Sequence, residues 1–153
     1  MGRIFVAPLS AVSVSVITDL WFFKLPATSV VALHEVVVTQ DTSETSEQLP
    51  LQIFRTADDK SGVGTALTPA KTEVGDAAAG CTVRSNLSAG NLATVTTLMY
   101  RQSQNVLGGW HWLWTPETRP VFSPSSYFAI GMPVAPTAAL PISGYVVFEE
   151  IGG

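Results

Sequence analysis

Charge is what this sequence has least of. Only 13% of its 153 residues are Asp, Glu, Lys or Arg, and the formal net charge is −4. An ordinary soluble domain carries roughly 25% charged residues. Eight Lys and Arg are too few for the dense basic face that displaces counterions from nucleic acid, so no nucleic-acid partner is expected. The single cysteine, Cys81, excludes an internal disulfide. It opens a short strand-like run, Cys81-Thr82-Val83-Arg84, and reads as a small buried apolar residue. No stretch approaches the ~18 apolar residues of a membrane helix; the longest are broken by Ser13, Ser15, Asp19, Lys24, Pro26 and His34. No membrane partner is expected. Arg3 followed by Ile4-Phe5-Val6-Ala7-Pro8-Leu9 faintly imitates a secretory leader, but Pro8 and the alternating serines break its apolar centre.

What is present is apolar surface. Hydrophobic residues make up 46% of the chain and four tryptophans stand among them, which excludes disorder. Chains of about 150 residues hide roughly 70% of their unfolded surface. We therefore expect one domain over residues 1–153.

The apolar period is two nearly everywhere, the mark of strands rather than helices. In Ser10-Ala11-Val12-Ser13-Val14-Ser15-Val16, the valines point one way and the serines the other. Leu20-Trp21-Phe22-Phe23-Lys24-Leu25 reads as a second strand stopped by Pro26, and residues 30–40 (VVALHEVVVTQ) as the longest, apolar on both faces. Further strands are expected at 49–55, 81–84, 93–102, 109–114, 127–132 and 144–151. Connections rich in Gly, Pro and polar residues are expected at 41–48, 57–65, 85–91, 115–124 and 133–141. The best helix candidate, 76–80, is hardly more than a turn. The expected fold is all-β: an antiparallel β-sandwich of jelly-roll type with eight or nine strands.

Catalytic and metal-binding patterns are sought without result. His34-Glu35 lacks the second histidine of a zinc-protease helix and lies in a β pattern. His111 alternates with tryptophans, and neither histidine has a partner at metal-like spacing. Adjacent Glu149 and Glu150 would face opposite sides of a strand, so they make no acid/base couple. Asp58-Asp59-Lys60-Ser61-Gly62 reads as a solvated turn and lacks the alternating oxygen ligands of a calcium loop. No catalytic residue, cofactor or metal is expected.

Gly109-Trp110-His111-Trp112-Leu113-Trp114 is the most distinctive segment. On a strand, Trp110, Trp112 and Trp114 line one face, about 6–7 Å apart. Core packing, a subunit interface and a sugar-stacking platform are the three readings open to it. Low charge without a membrane span favours assembly, because buried subunit faces are depleted of charge.

The C-terminal Ser143-Gly144-Tyr145-Val146-Val147-Phe148-Glu149-Glu150-Ile151-Gly152-Gly153, the strand Val31–Gln40, the Gly-Asp-Ala-Ala-Ala turn at 75–79 and the Trp-rich strand form a pattern over most of the chain. It resembles the jelly-roll head decoration (cement) proteins of tailed bacteriophages. None of these segments is a strict fingerprint, and such sandwiches share shape without sharing function. The resemblance implies a non-enzymatic virion protein, made in the host cytoplasm and placed on the capsid surface. It would bind as a homotrimer across junctions of the major capsid protein. The alternative is a carbohydrate- or receptor-binding module of a tail fibre or similar particle; a cupin-like metal enzyme is a third. Residues 1–9 read either as an N-terminal arm or as an ordinary first strand. The expected interface residues are Ile4, Phe5, Val6, Trp110, Trp112, Trp114, Tyr127 and Phe148, with Trp112, Tyr127 and Phe148 as anchors near the trimer axis.

Overall fold

The computed structural model describes residues 2–42 and 46–152. Among them are twelve strands and no helix. They are β1 (Arg3–Val14), β2 (Thr18–Lys24), β3 (Val30–Gln40), β4 (Gln48–Thr56), β5 (Thr65–Leu67) and β6 (Ala70–Lys71). The second half holds β7 (Thr82–Ser88), β8 (Thr97–Asn105), β9 (Trp110–Leu113), β10 (Val121–Phe122), β11 (Tyr127–Met132) and β12 (Leu140–Ile151). Part of the expected 41–48 connection, residues 43–45, lies outside the described residues, as does Met1.

Every pairing is antiparallel, and the strands form two six-stranded sheets. Sheet A runs β10-β3-β12-β1-β6, with β9 sharing the β3 edge with β10; sheet B runs β5-β7-β2-β11-β4-β8. The chain alternates between sheets: β1, β3, β9 and β12 lie in A, and β2, β4, β8 and β11 in B. The three strands beyond the nine expected, β5, β6 and β10, are only two or three residues long. Runs that short leave no periodic signal.

Between the sheets lies an aromatic core. Phe23 stacks on Phe128 at 4.5 Å, Phe128 on Phe122 at 3.8 Å, and Phe5 on Phe148 at 5.5 Å. Phe122 belongs to sheet A and Phe128 to sheet B, so this stack ties the layers together. Such pairs contribute about 0.5–1.5 kcal/mol beyond the area they bury. Trp21, Phe22 and Phe23 are consecutive and all buried. A half-exposed strand would alternate, so both faces of β2 must be covered.

Two expected strand bounds need correction, while residues 3–9 take the first-strand reading: they form the first half of β1, alongside β12 and, at Phe5 and Val6, β6. Burial of Phe5, Ala7 and Leu9 fixes them there. The expected strand 10–16 ends at Val14, and Val16 is exposed in the turn to β2. A bulge between Leu9 and Val12, with Ala11 at φ 49°, shifts the register in mid-strand. The expected strand 93–102 begins only at Thr97, because Ala93 is drawn under a loop described below.

Gly144 is required by its neighbours: a Cβ there would collide with the carbonyl oxygen of Val37 on β3. The C-terminal strand can therefore run between β1 and β3 at full contact.

Candidate functional site

The two sheets differ in what covers their outer faces. On sheet B, Phe22, Phe54, Leu87, Ala129 and Ala93 form a second small core, with Val63 and Tyr127 at its rim. Its lid is the chain itself, in the segments 57–64 and 89–95. Carboxylates stitch that lid down. Asp58 accepts from the Thr94 amide at 2.8 Å, and Asp59 pairs with Lys24 Nζ at 2.6 Å while accepting from the Ser61 amide at 2.9 Å. The lysine pairing is the main reason the Asp59 carboxyl lies well below its usual pKa. Asp19 is buried beneath the lid and accepts from the Ala93 amide at 2.8 Å. Burial raises its pKa from 3.8 to about 6, against the opposing amide bond.

Sheet A has no such lid among the described residues. Cross-strand register sets its outward side chains in rows: His111, Val37, Tyr145 and Pro8; then Leu113, Glu35, Val147 and Val6; then Val121, Ala32, Glu149 and Ile4. Leu113 is 70% exposed and Val121 45%. The few ionisable groups here are paired with one another. Glu35 takes His111 Nε2 at 2.7 Å and the Tyr145 hydroxyl at 3.3 Å. Burial, with Glu35 adding to it, raises the Tyr145 pKa and keeps the phenol a neutral donor. Glu149 accepts from Arg119 Nη1 at 3.2 Å, and His34 Nε2 lies 3.1 Å from each of them. That nitrogen can donate to the carboxylate or accept from the guanidinium, but not both at once.

This second cluster depends on a bulge. The register shift between Val147 and Phe148 sets Glu35 opposite Val147 and Leu33 opposite Phe148. His34 is left without a partner in the ladder, and both His34 and Glu35 escape the core. Simple alternation would have sent one of them inward. The only sequence signal was the adjacency of two polar residues in an apolar strand.

At the β9 edge of sheet A and the β8 edge of sheet B, the tryptophans divide. Trp110 is buried and donates to the Gln102 carbonyl at 3.3 Å. Trp112 donates to the Gln102 side chain at 2.6 Å. Trp112 and Trp114 are half-buried beside Tyr100, whose hydroxyl donates to the Thr118 carbonyl. The ring planes are inclined by 42° between the two tryptophans and by 46° and 60° to Tyr100. The cluster closes the mouth of the sandwich and offers no single flat platform.

The structure scatters the expected interface residues. Phe5, Trp110 and Phe148 lie inside the sandwich and have no surface to offer a partner, because inward-facing positions of β1, β9 and β12 meet sheet B. Tyr127 rims the sheet B lid, stacked 6.1 Å from Phe22. Trp112 and Trp114 sit at the mouth. Only Ile4 and Val6 are outward on sheet A.

One buried carboxylate had no sequence signal of its role. Glu150 points inward at the end of β12, 1% exposed, and accepts from the Cys81 amide at 2.7 Å, the Gly80 amide at 3.0 Å and Arg3 at 3.3 Å. It pins the start of β7 to the first and last strands. Cys81 is buried beside it, and burial plus that carboxylate push the thiol pKa far up. Among the described residues no three His, Cys, Asp or Glu side chains converge as metal ligands. Compared with known protein families, curated proteins and solved structures, the chain matches none.

Proposed function

We propose that this chain is a structural virion protein that decorates and strengthens a phage capsid. It binds across major capsid subunits as a homotrimer, with no catalytic step. One observation carries the reading: among the described residues the outer face of sheet A has no lid, exposes Ile4, Leu113 and Val121 and holds Glu35 and Glu149 in hydrogen bonds, while the chain spends two loops covering the equivalent face of sheet B. A large bare apolar face marks a contact surface. The 13% charge content points the same way.

Connectivity supports the jelly-roll reading of the sandwich. Neighbours run β1-β12-β3-β9 in one sheet and β2-β11-β4-β8 in the other. This order is the one two four-stranded Greek keys would give, and it supports reading the sandwich as a jelly roll. The strands β5, β6 and β7 are then an insertion between β4 and β8 that widens both sheets.

Mechanically, each bound copy adds contacts that pressure from a packaged genome must break. A specific contact buries on the order of 1,200 Å² or more, repeated over every copy on the shell. The test is to add purified protein to expanded shells assembled without it. Saturable binding at symmetric positions, with a raised temperature of shell disruption, is the expected result. Shells that bind none of it would refute the reading. The glycan-binding alternative draws only on the half-buried aromatic cluster, whose inclined rings suit it poorly; glycan-array binding lost on Trp112→Ala would favour it.

A further inference from the structure

We propose that the connection from β9 to β10, residues 114–120, is an acid-released strap: neutral His34 holds it against sheet A and protonated His34 lets it go. The device belongs to the single chain and does not rest on the capsid reading.

Backbone ties the strap at both ends. The Trp114 amide donates to the His34 carbonyl at 3.1 Å, and the Leu33 amide donates to the Pro120 carbonyl at 2.9 Å. Between them Thr115, Pro116, Glu117 and Thr118 are exposed. Among the described residues, two side chains hydrogen-bond this middle stretch to the sheets. The Tyr100 hydroxyl donates to the Thr118 carbonyl at 2.9 Å, and Arg119 reaches back to His34 and Glu149.

That second clamp closes on a triangle. Arg119 Nη1 lies 3.1 Å from His34 Nε2 and 3.2 Å from Glu149 Oε2, and those two atoms are 3.1 Å apart. A guanidinium stays protonated and only donates, so its contact with Nε2 is a hydrogen bond only while that nitrogen carries no proton. The neutral ring then keeps its proton on Nδ1. Imidazole is the side chain that ordinarily changes charge between pH 5 and 8. Once protonated, Nε2 becomes a donor and the ring a cation. Its acceptor is Glu149 Oε2, the same oxygen that Arg119 uses. Arg119 thereby loses one acceptor, shares the other and faces a like charge at contact distance. Tyr100 is left to hold the strap between its ends.

The neighbouring charges are engaged elsewhere. On β3, Glu35 is taken by His111 and Tyr145, and on β12, Glu150 turns to the opposite face with Arg3. Glu117, on the strap itself, bonds back to Thr115 and to its own amide. From β10 and β1, Val121 and Ile4 flank the row that holds Glu149. The strap begins at Trp114, whose ring lies 5.5 Å from that of Tyr100, so its release loosens the aromatic cluster at the mouth of the sandwich.

The test is amide hydrogen exchange of the full-length chain at pH 5 and pH 8, corrected for the intrinsic pH dependence of exchange. The reporters are the Thr118 and Arg119 amides, which donate to the Thr115 carbonyl at 3.0 and 3.1 Å. The Ile130 amide, at the centre of sheet B, shows whether the whole chain has opened. In wild type, protection of the reporters should fall about tenfold from pH 8 to pH 5, the worth of one hydrogen bond to a charged group, and that of Ile130 should not fall. His34→Gln offers Arg119 a carbonyl oxygen at every pH and should stay protected at both. Arg119→Gln lacks the clamp and should show the low protection at both. Nitrogen NMR of the wild-type imidazole at pH 8 should place its proton on Nδ1. Any one of five results overturns the proposal: wild-type protection that does not change with pH, a fall matched at Ile130, a fall retained in His34→Gln, Arg119→Gln as protected at pH 8 as wild type, or a neutral ring protonated on Nε2.

Discussion

Asp19 should set a pH dependence on folding that one substitution removes. Its carboxyl is 5% exposed beneath the 89–95 segment, and its pKa is raised from 3.8 to about 6. Below pH 3.8 the group is protonated in both folded and unfolded chains, and the stability it permits is fully present. As pH rises toward 6 the unfolded chain ionises first, the folded chain still holds its proton, and stability falls. Above about pH 6 both forms are ionised and the loss is complete. Two pKa units at about 1.36 kcal/mol each make a loss of about 3 kcal/mol. The carboxyls with lowered values, Asp58 and Asp59, act in the opposite sense below pH 4, outside this window. Asp19→Asn keeps an oxygen to accept from the Ala93 amide and cannot ionise. Urea unfolding at half-unit steps from pH 4 to pH 8 should show the wild-type advantage over Asp19→Asn shrinking by about 3 kcal/mol as pH rises through 4–6, then levelling. A difference flat across that window, or one that grows with pH, would refute the reasoning.

Phe148→Ala should cost about 3–5 kcal/mol, because its ring packs on Phe5 and Phe23 at the centre of the core; equilibrium unfolding measures it, and a loss below 1 kcal/mol would contradict that placement. Glu150→Gln should cost about 2–3 kcal/mol, since two buried amides and Arg3 converge on the carboxylate. The same variant should speed labelling of Cys81 by a thiol reagent at pH 8, whereas the native wild-type thiol should react only as fast as the protein opens; prompt stoichiometric labelling of native protein would contradict its burial.

Much of the architecture was legible because strand alternation is local. The run 30–40 carried its strand in its β-branched density, and β3 spans those residues. The unbroken apolar run Leu20–Phe23 already required cover on both sides of β2. The adjacent pair Glu149 and Glu150 was separable by parity, and they do face opposite sides. The candidate site was less legible. The loop Asp58–Gly62 reads as a solvated turn, yet with 89–95 it roofs a second core through Val63 and Ala93. Polar composition cannot reveal that a segment's few apolar atoms are the ones that matter.

By itself, then, the order of residues determined the class of element and where most strands begin, since each depends on side chains two or three positions apart. The low charge on which the proposal of assembly draws is also written in composition alone. Tertiary structure decided which face of each strand was covered and by what. The pairings of Ile4 with Glu149 and of Ala32 with Val121 join residues far apart in the chain, so no local period can encode them. Those pairings bury Trp110 and Phe148, bring both histidines to carboxylates, and leave the outer face of sheet A without a lid among the described residues.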